Sequence, residues 1–166
     1  MPLYAAGQRI RGSEINALPQ VYYTTADLTS TVAFTTAYIN ATGLAFAAEV
    51  NARYLAELFL FYRAPMGNDI MCAWTYPSGT TGWFGADGIE SGSGGGAVGQ
   101  VNRQALTVNG AHAFNGDNGV DVLAKIATSF VIGGTPGTVQ FKFAQLVAGG
   151  STILRSGSAM RVSRMV

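Results

Sequence analysis

The feature that most restricts how this chain folds is a two-residue alternation near its end. In Gly137-Thr138-Val139-Gln140-Phe141-Lys142-Phe143-Ala144-Gln145, the apolar Val139, Phe141 and Phe143 fall on one side and Thr138, Gln140 and Lys142 on the other. A helix would scatter these residues around its circumference, whereas a strand lines them up on one half-buried face. A Gly149-Gly150 turn, the run Thr152-Ile153-Leu154-Arg155 and Gly157 follow, and Ser158 to Val166 then repeats the pattern. There Arg161, Ser163 and Met165 oppose Met160, Val162 and Arg164, so this last run is expected to close a sheet.

The two closing runs, GTVQFKFAQ and GSAMRVSRM, resemble the C-terminal strands of small structural proteins of tailed bacteriophages. The opening Gly7-Gln8-Arg9-Ile10-Arg11-Gly12-Ser13-Glu14-Ile15-Asn16-Ala17-Leu18 is similar to the start of such proteins. The stretch from Ala52-Arg53-Tyr54 to Phe61-Tyr62-Arg63-Ala64-Pro65 is similar to the strand after their first hairpin. The resemblance implies an all-β jelly-roll sandwich like that of tumour necrosis factor, assembled as a homotrimer on the phage head or tail. No part of it is a catalytic signature, so it speaks to fold and setting.

A chain of 166 residues is enough for one compact core. Its composition is 48% hydrophobic and only 11% charged, against a usual charged share of about 25%. A surface this poor in charge is covered by Gly, Ser, Thr and Asn or is hidden against neighbouring subunits, and both are expected here. The net charge of +1, with no basic cluster carrying interleaved aromatics, argues against nucleic acid as a partner. Arg9 and Arg11 near the start and Arg155, Arg161 and Arg164 near the end read either as solvated ends or as contacts to an acidic partner. The single Cys72, in the apolar run Ile70-Met71-Cys72-Ala73-Trp74, has no partner for an intrachain disulfide and reads as a small buried hydrophobe. No secretory signal and no span of ~20 apolar residues are visible, so the product is expected to be soluble, made in the host cytoplasm and without a membrane partner.

Residues 1–19 read as a separate arm and residues 20–166 as the sandwich domain. Ser13 suits the N-cap of a single helical turn, Glu14 to Leu18, which Pro19 discourages from continuing. One turn is not stable alone. Its neighbours Arg9, Ile10 and Arg11, together with Ile15 and Leu18, are therefore expected to dock, either on the domain itself or, as the resemblance implies, on another protein as an anchor. Val21 to Thr36, rich in Thr, Val, Tyr and Phe, and Thr36 to Phe46, with turn signals at Asn40 and Gly43, are expected to form an outer hairpin.

Residues 48–62 admit two readings. Glu49, Arg53 and Glu57, with Val50, Tyr54, Leu58 and Phe61, follow a helical stripe, while Leu58-Phe59-Leu60-Phe61-Tyr62 is apolar all round, as in a strand covered on both faces. The resemblance implies a strand from Arg53 to Arg63, then a turn and a second strand from Asp69 to Tyr76. On that reading Tyr54, Leu58, Leu60 and Tyr62 are candidates for the subunit interface. Residues 78–100, crowded with glycine, read as a surface loop at the tip of the molecule, and Trp83 and Phe84 within it either plug the sandwich or contact a host glycan. Strands are expected again at Gln100 to Val108, Val122 to Ile126 and Thr128 to Ile132, for a total of about eight to ten in an all-β sandwich or barrel.

Nothing in the chain assembles a catalytic set. His112 is the only histidine and Cys72 lies far from it in sequence, so a metal site has no second imidazole, and His112 reads as a satisfied histidine at the surface or barrel end. Asn115-Gly116-Asp117-Asn118-Gly119-Val120-Asp121 resembles a calcium loop but has Ile126 where the bidentate Glu belongs, so it reads as a turn. Gly92 to Gly99 lacks the following Lys-Ser/Thr of a phosphate loop. Glu49 and Glu57 read as solvated charges or a subunit salt bridge. The expectation is a non-enzymatic virion protein with no cofactor and no metal. It is a homotrimeric capsid decoration or spike held by its arm to the major capsid protein or a tail component. The alternative is a minor tail protein, a tail-tip or fibre adhesin binding a host surface glycan through residues 78–100.

Overall fold

The computed structural model describes residues 18–35, 37–65, 67–89, 101–117, 119–147 and 149–165, and of Ile89, Val101 and Asn102 the backbone only. Among them are twelve strands in two antiparallel sheets that face each other as a sandwich. Sheet A runs β1 (Gln20–Tyr23), β12 (Ala159–Met165), β4 (Arg53–Arg63), β9 (Val122–Val131), β6 (Thr81–Ile89), β7 (Val101–Thr107). The short β2 (Leu28–Ser30) and β11 (Thr152–Leu154) extend it beside β4. Sheet B runs β3 (Ile39–Ala48), β10 (Gly137–Gln145), β5 (Ile70–Thr75), β8 (His112–Phe114).

The pairings nest: β1 with β12, β3 with β10, β4 with β9, β5 with β8, each antiparallel. A long hairpin rolled up so that successive pairs alternate between two sheets is the jelly roll, which is the fold of this chain. The hairpin β6–β7 is inserted between β5 and β8 and adds to sheet A on the free side of β9.

Alternation decides what enters the core. Tyr54, Ala56, Leu58, Leu60 and Tyr62 of β4 and Ala124, Ile126, Thr128 and Phe130 of β9 point inward from sheet A. Phe46, Trp74, Phe141 and Phe143 meet them from sheet B. Trp74 is the hub, with Phe130, Phe141 and Phe84 set edge-on at 5.1, 5.2 and 6.3 Å between ring centroids. Its indole N–H would be an orphan donor there, and it donates to Thr128 Oγ1 across the sandwich at 3.1 Å. Cys72 is fully buried, and burial drives its thiol pKa up, so the inert reading of this residue fits its surroundings.

The strand expected from Arg53 to Arg63 is β4, whose paired neighbours on both sides decide against the helical stripe, and a turn at Val50 and Asn51 precedes it. Several other expectations are corrected. β1 and β2 do not pair with each other; they add to β12 and β11, and no outer hairpin forms. Asn40 and Gly43 do not end a strand but lie inside β3, where the register against β10 shifts. The bulge is patched by Gln140, whose Nε2 donates to the carbonyls of Ala41 at 3.0 Å and Leu44 at 3.1 Å. Gly43 has φ +92°, and a Cβ there would overlap the Tyr23 carbonyl, so glycine is required at this point for two reasons. The runs read as two strands after Val122 are one, β9. Sheet B is backed by residues 31–35, 37 and 38: Phe34 N–H donates to the Gln145 carbonyl at 2.7 Å, and Lys142 Nζ sits 4.8 Å over the Tyr38 ring. This backing fits the burial of Met71 and Ala73 on the outward side of β5.

Candidate functional site

The outer face of sheet A has no such backing among the described residues. Direct cross-strand partners put side chains in rows: Tyr23, Ala159, Phe59, Lys125, Asp87 and Arg103 form one. Val21, Arg161, Glu57, Ala127, Gly85 and Ala105 form the next, and Ser163, Leu55, Ser129, Trp83 and Thr107 the one after. Phe61 and Leu123 stand opposite each other beyond the first row. Val21, Tyr23, Phe59, Phe61, Leu123 and Trp83 are all exposed, although a strand facing water normally carries polar residues there.

Within this face, small side chains make a floor and longer ones make walls. Gly85, Ala105 and Ala127 line the bottom of an open groove of about 450 Å³, and Glu57, Phe59, Lys125, Asp87 and Arg103 flank it. Lys125 Nζ lies 5.8 Å from the Phe59 ring centre, Glu57 pairs with Arg161 at 3.1 Å, and Asp87 with Arg103 at 3.6 Å.

This geometry corrects the predicted interface residues. Tyr54, Leu58, Leu60 and Tyr62 are buried in the chain's own core, with the Tyr62 hydroxyl donating to the Asn115 carbonyl at 2.6 Å, and no neighbouring subunit can reach them. Burial raises the Tyr62 pKa far above its ordinary value. The face of β4 open to a partner is the odd-numbered one, Leu55, Glu57, Phe59 and Phe61. The predicted loop is corrected as well: residues 81–89 are strand β6, bonded to β9 and β7, and only 90–100 lie outside the described residues. Trp83 and Phe84 therefore point to opposite sides, Trp83 being 61% exposed and Phe84 fully buried against Trp74 and His112.

Of the predicted arm, Arg9, Ile10, Arg11 and Ile15 lie outside the described residues, and Leu18 is exposed. His112 is buried rather than at the surface, and its Nε2–H donates to the Phe84 carbonyl at 2.8 Å. No group of three or more His, Cys, Asp or Glu side chains placed to hold a metal ion occurs among the described residues. Glu49 and Glu57 are tied within the chain, to Arg164 at 3.0 Å and to Arg161.

One cluster was invisible in the sequence because its members are up to 129 residues apart. Arg155 donates to Asp121 at 2.8 Å and to Asp27 at 2.7 Å, Arg63 donates to Asp121 at 3.1 Å, and Ser156 N–H donates to Asp27 at 2.8 Å. These bonds clamp the loops after β1 and β11 and the last residue of β4 to the residue just before β9. The Ser156 N–H and then Arg155 hold the Asp27 carboxyl below its ordinary pKa, and Arg155 and then Arg63 do the same for Asp121. A carboxylate whose folded pKa is depressed contributes stability that is complete above its unfolded value of 3.8 and disappears as pH falls through the folded value. Asp121→Asn is therefore expected to be less stable than the unaltered chain near neutral pH, with the gap closing below about pH 4. Urea midpoints measured across that range check this; a gap of constant size would contradict it.

No family model and no curated protein matches this chain. Among solved structures, the chain is similar to the tripod from the baseplate of bacteriophage Tuc2009, at 13% identity and a TM-score of 0.36, over 99% of this chain and 74% of that one. It is also similar to the VP2 subviral particle of infectious bursal disease virus, at 10% identity and a TM-score of 0.23, over 89% of this chain and 41% of that one. Scores of this size do not define a common fold, and the jelly-roll assignment rests on the nested strand pairing.

Proposed function

We propose that this chain is a non-enzymatic structural protein of a bacteriophage particle, acting by self-assembly into a homotrimer that decorates the head. The jelly roll alone does not select this role, since the same fold serves capsid and lectin domains. The observation that carries it is the outer face of sheet A. Phe59, Phe61, Leu123 and Tyr23 form an exposed apolar strip on an otherwise charge-poor chain, beside a groove floored by small residues. Such a strip is stable in water when a second copy covers it, at ~25 cal/mol per Å² of apolar area before the cost of association. Glu57 and Asp87, already paired with Arg161 and Arg103, would not enter the contact as bare charges.

The resemblance of the opening residues to phage structural proteins supports residues 1–19 as the anchor to the major capsid protein or to a tail component. Three arms on one trimer bind through their effective concentration, so modest single contacts suffice. A chain lacking residues 1–19 is expected to keep its assembled mass but to be lost from particles. Quantitative mass spectrometry of purified particles measures both its retention and the copy number of the complete chain relative to the major shell protein. A ratio near that of the shell lattice fits head decoration and a handful of copies fits a tail position. Absence of the complete chain from particles contradicts the virion role, and retention of the truncated chain contradicts the anchor.

A further inference from the structure

We propose that the cleft beside Trp83 is a binding site for a neutral saccharide. The cleft has a volume of about 550 Å³ and lies where the β5–β6 turn, β6, the end of β7 and β9 meet. That size falls within the range of small-molecule clefts, roughly 300–1,000 Å³. Its platform is the indole of Trp83, which is 61% exposed although its strand is hydrogen-bonded on both sides, opposite Ser129 and Thr107. The ring is therefore presented on a rigid sheet, and no loop has to be ordered when a ligand docks.

The polar side chains around it are hydroxyls and an amide, among them Tyr76, Thr81, Thr107, Asn109 and Ser129, and Val131 adds an apolar side. The Thr107 hydroxyl donates to Asn109 Oδ1, which fixes the amide and leaves Nδ2 as a donor. Trp83 N–H donates to Ser129 Oγ at 3.1 Å, which leaves the Ser129 O–H as a donor. Among the described residues neither a carboxylate nor a cation lines the cleft, so an anionic or cationic ligand would find no partner there. A pyranose ring supplies what the lining matches: an apolar C–H face for the indole and edge hydroxyls for the polar rim. The apolar strip offered to a second copy is separate, since Phe59 lies two rows along and two strands across from Trp83. The proposal goes beyond the structural role above and holds whether or not the chain belongs to a particle.

Its test uses the full chain with lactose, maltotriose and the N-acetylglucosamine trisaccharide, and with sialyllactose as an anionic comparison. Binding is read on the sugar protons by saturation-transfer NMR, so that a variant lacking tryptophan is read in the same way. The sequence has two tryptophans and Trp74 is buried, so protection of the exposed emission from acrylamide locates the sugar at Trp83. The expected result is saturable binding of at least one neutral sugar, protection of Trp83, and weakening by roughly tenfold or more in Trp83→Ala, whose urea midpoint and assembled mass stay unchanged. The proposal is overturned if no neutral sugar binds at tens of millimolar, if binding survives in Trp83→Ala, or if sialyllactose alone binds. It is also overturned if Trp83→Ala alters the assembled mass, because Trp83 is then a subunit contact.

Discussion

Replacing Phe130 by alanine is expected to lower the unfolding free energy by about 3–5 kcal/mol, a large part of what a domain of this size has. Phe130 is fully buried on β9, and its ring bridges the sheets, touching Trp74 at 5.1 Å and Phe46 at 6.0 Å from sheet B. Trp74 is on β5 and Phe46 on β3, and both strands pair with β10, so neither can move inward without breaking its ladder. The cavity would therefore stay open, and the cost sits at the upper end for a lost ring. Urea unfolding followed by the emission of Trp74 measures it directly, and a loss below about 1 kcal/mol would mean that the core collapses around the gap. Val50→Ala, at an exposed site, supplies the comparison and is expected to change stability by less than about 0.5 kcal/mol.

The double substitution Phe59→Glu with Phe61→Glu is expected to weaken self-association by more than about 100-fold while leaving the fold intact. Both rings stand on the odd face of β4, 45% and 43% exposed, so a single chain loses little when they change. In an assembly they would be anchors, and each new carboxylate would be buried without a partner. Because the inward residues of β4 are untouched, circular dichroism and the urea midpoint at low protein concentration should match those of the unaltered chain. Unchanged association would show that copies meet elsewhere.

The fold was legible where alternation was clean. In β10, Val139, Phe141 and Phe143 are buried as their spacing requires, and in β12 Met160 and Val162 enter the core while Arg161 stays out. It was not legible where both faces of a strand are apolar. Tyr54, Leu58, Leu60 and Tyr62 carry the same chemistry as Leu55, Phe59 and Phe61, and only the position of sheet B decides which set is inside. Glycine misled in the opposite sense at β6. Gly82, Gly85 and Gly88 read as loop residues, but pairing with β9 and β7 on both edges outweighs their low strand preference, and a Cβ at Gly88 would strike the Phe114 ring. The outward placement of Trp83 followed from that strand and had no local signal. The clamp of Arg155 on Asp27 and Asp121 joins residues that only the rolled hairpin brings together.

The account turns on whether this chain covers its own apolar strip. Sedimentation equilibrium of the full chain over a micromolar concentration series tests this most directly. The account predicts a single species with a mass three times the 17.3 kDa of one chain. A protein that remains at the mass of one chain throughout, with Phe59 and Phe61 open to solvent, would contradict it.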